Sequence, residues 1–467
     1  MTRKNLIWLV FDSIRGDRTS VGGYERNTTP TLSAIGSRSD GVAGTCFSHA
    51  IWSQPSVASI MTGTYLSLHG SGSHNEILPE DIPTVAERLS ETGYRTVGVS
   101  SNPYFSSTTG TDRGFDRFDF VSGAELAREA GLSSIASFVK NLRRFSGGFT
   151  LDKQKHTPDF LLNEIIKDRL RTVADQRQPF FLAGHYYGVH HPYYPSPIYR
   201  EEFADDLEIS AEQATELTFE RTKNVYEEIA NGNLSDDERA AINAMYDAQI
   251  RQVDGVVDRL LSYIDDLGLG DDTIVVITSD HGDLLGELNL ISHKLLLHDA
   301  LIKVPVAVRG SEYLAGIDLG LSQHADIMQT ILAELGAETD GMQGKLLHET
   351  SREMAVAQRG AETYQKTLSE VKKHNPEYDH EHVFSGFVTA LRTNEWKYVS
   401  GENESALYKL PVENEDVAAS HPDIVDRFES ELDQWLEEHD RAVHSTGSAE
   451  FDEDVKSQLA DLGYIVD

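Results

Sequence analysis

Cysteine is all but missing from this chain: Cys46 is the single one in 467 residues. An internal disulfide is excluded, and within Ala43-Gly-Thr-Cys-Phe-Ser48 the thiol reads as a small packing group, not a nucleophile. Basic side chains are scarce as well. Lysine and arginine number 41 against 76 aspartates and glutamates, giving a formal net charge of −35. A polyanion repels nucleic acid, so no nucleic-acid partner is expected. The acid is spread along the chain, which predicts a halophilic type of protein whose self-repulsion is screened by high salt. Long apolar runs are lacking too, so no membrane span is expected. The chain enters a strand directly after Met-Thr-Arg-Lys without a secretory leader, and the corresponding expectation is a cytoplasmic protein.

What is present is a series of short apolar segments at about 5–11, 95–100, 179–184, 273–279 and 303–308, separated by helical stretches. That alternation predicts an α/β fold: a largely parallel central sheet with helices on both faces. The stretch Asp236 to Leu267 repeats Ile242, Met245, Ile250, Val253, Val256, Val257, Leu260 and Leu261 at helical spacing, and should pack on the sheet. Two charged regions, 121–177 and 196–235, read as insertions at the rim of a site. A boundary near Gly336 to Gly344 divides a catalytic domain, 1–340, from a smaller C-terminal α+β subdomain, 341–467. The latter holds an acidic helix from about Pro422 to His439, with Phe428, Leu432 and Trp435 as its buried stripe, and an acidic tail past His444.

Chemistry is concentrated where apolar segments end. Thr273-Ile-Val-Val-Ile277 runs into Thr278-Ser-Asp-His-Gly282, so Asp280 and His281 emerge at the end of a buried strand. A hard oxygen beside an imidazole nitrogen suits a divalent metal. The first apolar segment likewise delivers Asp12, for which a helix cap is the competing role. In Trp52-Ser-Gln-Pro-Ser-Val57, Pro55 favours the first turn of a helix and places Ser53 beside its N-terminus. Ser53 is then either a cap or a nucleophile whose alkoxide a metal and the helix end would stabilise.

In this order along the chain, these pieces resemble the sulfatase branch of the alkaline phosphatase superfamily. Ser53-Gln-Pro-Ser-Val-Ala-Ser-Ile-Met-Thr-Gly63 is similar to the family pattern Cys/Ser-x-Pro-Ser-Arg followed by Leu-Leu-Thr-Gly, and Arg113-Gly-Phe-Asp116 to its Gly-Phe-Asp. His190-His-Pro192 resembles the His-x-Pro segment near the substrate, and His293-Lys294 the lysine segment. The resemblance implies a metal-dependent hydrolase of sulfate esters on small molecules or glycans. Asp12, Asp280 and His281 would hold the cation, with calcium implied first and manganese, magnesium or zinc as alternatives. Ser53, possibly converted to formylglycine, would be the nucleophile. His190 and Lys294 would bind nonbridging oxygens and protonate the leaving group. Asn102, Arg113, His191 and His293 would stand at the substrate rim, His298 beside them, with His185 a second choice.

Departures from the pattern open other readings. Val57 stands where the family has the arginine that accompanies formylglycine, and Ser13 replaces the second of two aspartates on the first strand. An unmodified Ser53 would suit a phosphohydrolase, a phosphonate or phosphodiester hydrolase, or a head-group transferase. A noncatalytic binding protein on the same fold is the third reading, opposed by the joint presence of Asp12, Ser53, Asp280, His281 and Lys294. His324-Ala-Asp326 reads as a helix cap, with a second metal pair as the alternative.

Overall fold

All five apolar segments become strands of one sheet in the computed structural model, which describes residues 3–73, 77–121, 123–174, 178–381, 383–439 and 456. The sheet has seven strands: β1 (Asn5–Phe11), β2 (Gly41–Phe47), β3 (Arg95–Ser100), β4 (Arg117–Phe120), β5 (Phe180–Tyr186), β6 (Thr273–Ser279) and β7 (Lys303–Arg309). Their order is β2-β7-β6-β1-β5-β3-β4. The five strands from β6 to β4 run parallel, while β7 is antiparallel to both β6 and β2.

Alternate residues of the central strands β1, β5 and β6 feed two separate cores, which is why these segments read as unbroken apolar runs. Ile7, Leu9, Phe11, Leu182, Val275 and Ile277 face α3 (Asp159–Ala174) and α4 (Asp236–Asp266). Leu6, Trp8, Val10, Phe181, Ile274 and Val276 face α1 (Ser53–Thr62) and α5 (His324–Leu335). Cys46 is buried on the second face, with burial pushing its thiol pKa up, as a packing residue should be.

The region 121–177 is only in part an insertion. Its first half forms α2 (Gly123–Lys140), which is interrupted at Gly131 with φ 79°. The second half is α3, whose Leu162, Ile165, Ile166 and Leu170 are fully buried beneath β3 and β5. Charged residues interleaved with this core stripe hide it in the sequence. Between 196 and 235 lie the short helices Ala211–Thr222 and Val225–Asn231, the first packed through Ala214 on Ala241, Ala244 and Met245 of α4.

Past the turn at Gly336, a four-stranded antiparallel sheet follows: β8 (Ala355–Arg359), β9 (Val388–Arg392), β10 (Trp396–Ser400) and β11 (Ser405–Lys409). It is covered by α6 (Pro422–His439), whose Phe428, Leu432 and Trp435 meet Tyr65, Val356 and Leu407. A backbone bond from Gln358 N to the His49 carbonyl, 2.8 Å, ties this sheet to the loop after β2. The tail past His444 lies outside the described residues, apart from residue 456. Among the described residues no helix is long and apolar enough to cross a membrane.

Candidate active site

Strand register brings the first three site segments to one place. β1 lies between β5 and β6, and Phe11 stands level with Tyr186 on one side and Ser279 on the other. The residues that follow, Asp12 and Asp280, therefore leave adjacent strands at the same height, at the carboxyl edge where such sheets bind ligands. Asn102 comes from the end of β3, one strand beyond β5.

Ser53 is the first residue of α1, with Trp52 at the cap position. Its Oγ lies 3.2 Å from Asp12 Oδ2 and 3.3 Å from His281 Nε2. Asn102 Nδ2 donates to the same Asp12 oxygen at 3.1 Å. His281 Nε2 is 3.4 Å from Asp12 Oδ1 and 3.6 Å from Asp280 Oδ2. The tautomer follows from the other ring nitrogen, which donates to the Gly282 carbonyl at 2.8 Å and leaves the lone pair on Nε2.

Two backbone details hold this geometry. Ser13 adopts φ 62° and in that turn donates its Oγ to Asp12 Oδ1 at 2.8 Å and its N–H to Asp280 Oδ1 at 3.3 Å. Gly188, at φ 64°, lies so close that a Cβ would stand 2.5 Å from the Asp12 carbonyl oxygen. The loop after β5 can pack here only as glycine.

Asp12, Asp280 and His281 place one donor atom each within 4.8 Å of one another, all buried. Two carboxylates taken out of water at this separation require a counter-charge. Burial alone would raise the Asp280 carboxyl, but His281, aided by His185 and Ser53, outweighs it and holds the group well below the usual range. Conversely, burial would lower His281, and Asp280 with Asp12 raises it instead. The donor set fits a divalent cation: two anionic oxygens and an oriented imidazole.

Beyond this centre stand the other expected residues. His190 and His191 follow β5, and His293 and Lys294 follow the short hairpin Leu284–Leu285 and Ile291–Ser292. The His293 ring lies 4.3 Å from that of His281. Burial lowers the pKa of His190, His191 and His293, keeping the imidazoles neutral. It also takes Lys294 down to about 7, opposed by Asp283 and Asp12. The Lys294 ammonium donates to Tyr226 OH at 3.2 Å.

Two rim candidates are held elsewhere. Arg113 donates to the Ile82 carbonyl at 2.7 Å, and its own carbonyl accepts from Thr84 Oγ1, fastening the Gly-Phe-Asp turn to the helix that Thr84 caps. His298 caps a one-turn helix by accepting from Ala300 N at 3.0 Å. Asp326 closes the first turn of α5 by accepting from Gln323 N at 2.8 Å and pairs with Arg352. That is the capping role.

His185 proves more central than a second choice, its Nε2 3.5 Å from Asp280 Oδ2. Asp283, two residues past His281 in the same motif, belongs to the site as well. Its carboxyl accepts from Tyr193 OH and meets His293, and burial raises its pKa to about 7.

The family model for sulfatases matches residues 4–337. The chain belongs to the sulfatase family. It is 26% identical to the multifunctional alkaline phosphatase superfamily protein PehA of Trinickia caryophylli, across 73% of this chain and 75% of that protein. Arylsulfatase K of Bos taurus is 24% identical, across 92% and 81%. Among solved structures, the phosphonate monoester hydrolase of Agrobacterium radiobacter superposes with a TM-score of 0.73 at 20% identity, covering 94% and 96% of the two chains. The sulfatase-family chain is thus a hydrolase on the alkaline phosphatase fold, in a family that generally uses a divalent metal.

Proposed function

We propose that this protein hydrolyses phosphoryl-type esters, phosphate or phosphonate, with an unmodified Ser53 as nucleophile. One observation carries the reading: Ser53 Oγ is set between Asp12 and His281, while Val57, one turn along α1, is sealed into the apolar core with Trp8, Ile60 and Met61. No arginine accompanies Ser53 at the position that the family pairs with formylglycine. A serine sulfate lacks the hemiacetal route that expels sulfate, whereas a phosphoserine is open to hydrolysis by water.

The residues divide the work as follows. Asp12 Oδ2 orients the Ser53 hydroxyl, and Asn102 and Ser13 fix Asp12 in turn. The N-terminus of α1 directs its dipole at the incoming anion. A divalent cation held by Asp12, Asp280 and His281 would lower the hydroxyl pKa and offset charge on the ester. Ser53 Oγ passes its proton along the hydrogen bond to Asp12 Oδ2 and forms the new bond to phosphorus as the bond to the leaving oxygen breaks, in line with attack. Lys294, with its pKa near 7, gives that oxygen its proton, and water then releases phosphate from Ser53. The mixed oxygen and nitrogen donors favour manganese or zinc over calcium, which prefers oxygen alone.

A sulfate ester on a small molecule or glycan is the second reading, favoured by the similarity to arylsulfatase K over most of both chains. Aryl phosphate, aryl phosphonate and aryl sulfate assayed side by side in high salt, with the metal varied, separate the two. Mass spectrometry of the peptide spanning 45–70 reports residue 53 in the same sample. Faster turnover of the sulfate, with residue 53 two hydrogens lighter than serine, would overturn the phosphoryl reading.

A further inference from the structure

Next to the first set of donors is a second, made wholly of imidazoles. His190, His191 and His293 each place one ring nitrogen within 4.8 Å of the others, and all three are buried. Their rings sit 4.2 to 5.5 Å apart. Two are aimed by acceptors behind them. His190 Nδ1 donates to the His191 carbonyl at 2.7 Å, and His293 Nδ1 lies 3.3 Å from Asp283 Oδ1. A carbonyl or carboxylate behind Nδ1 puts the lone pair on Nε2, the arrangement that metal-binding histidines adopt. Asp283 is itself held by Tyr193 OH, so the support extends one residue further back. His191 Nε2 stands 3.4 Å from Ser292 Oγ, which anchors the third ring.

We propose that His190, His191 and His293 bind a second divalent cation beside the first, so that the centre takes two. This rests on the reading of the first site given above and deepens it. Three imidazoles without a carboxylate suit zinc and discriminate against magnesium and calcium. A three-histidine set would leave a coordination position for water or an ester oxygen. His190 would then act on the ester through the cation that it holds. Added charge favours the substrate carrying more negative charge, a phosphate monoester over a sulfate monoester.

The test is zinc content measured on the full chain. Protein loaded with zinc and dialysed is analysed by elemental mass spectrometry, and crystals of the same protein are measured on both sides of the zinc edge. Two zinc ions per chain are expected, with anomalous peaks at both donor sets. His191→Ala should fall to one, retained at Asp12, Asp280 and His281, and Asp280→Asn should fall to one, retained at the histidines. A wild-type crystal with its only peak at Asp12, Asp280 and His281 would refute the second site and spare the first. A peak at the histidines alone would refute the first and spare the second. Two ions in both wild type and His191→Ala would place the extra zinc elsewhere and also overturn the proposal.

Discussion

Lys294 shows how much one side chain depends on its surroundings. Its ammonium is buried, and desolvation brings its pKa down to about 7. The group is charged below that pH and neutral above it, so its grip on an anionic ester weakens as pH rises through 7. KM for an aryl phosphate should therefore climb between about pH 6 and pH 8. Lys294→Arg keeps its charge across this range and should flatten that limb of the profile. An unchanged limb in the arginine variant would assign it to another group. The sequence showed a lysine in a lysine-poor chain beside a metal motif, and hence a candidate for anion binding. It did not show the pKa, which depends on packing contributed by distant segments. The same is true of Ser13, whose left-handed backbone is set by Tyr246 OH donating to its carbonyl at 2.6 Å from α4.

At the scale of elements, α1 presents its first residue to the site and its inner face to the core. Val57 is 1% exposed among Trp8, Ile60 and Met61. Val57→Arg would force an unpaired charge into that face and should destabilise the protein by roughly 3–5 kcal/mol, seen as an earlier urea midpoint. It should not create sulfatase activity. A variant of full stability would mean that the helix can turn an arginine toward Ser53, and would reopen the sulfate reading. The strands that carry the site were legible because burial on both faces leaves no polar alternation to misread. β2 was not, since Gly41 and Gly44 dilute its apolar character, nor was β4, a four-residue edge strand with no buried position. In the sequence α3 reads as part of an insertion because its exposed charges obscure the stripe beneath. Arg113 reads as a rim residue for another reason: its turn is recognisable in the sequence, but the direction of a long side chain is settled by what it packs against, here the Ile82 carbonyl.

Over the whole molecule, 76 acidic and 41 basic residues leave a charge of −35. Repulsion among these groups acts over about 10 Å at 0.1 M salt and about 3 Å at 1 M. The melting temperature should rise by several degrees between those conditions, and a flat or falling curve would argue against adaptation to high salt. Composition foretold this charge; the meeting of distant segments at one sheet edge came only with the family pattern. That meeting has a consequence in time. β1 is made first, yet its two partners begin at Phe180 and Thr273. A ribosome adding about 5–20 residues per second leaves β1 without its neighbour β5 for roughly ten to thirty seconds, and without β6 for longer. Through that interval an almost wholly apolar strand must stay out of wrong pairings, and Asp12 has no site to belong to until Asp280 has been synthesised.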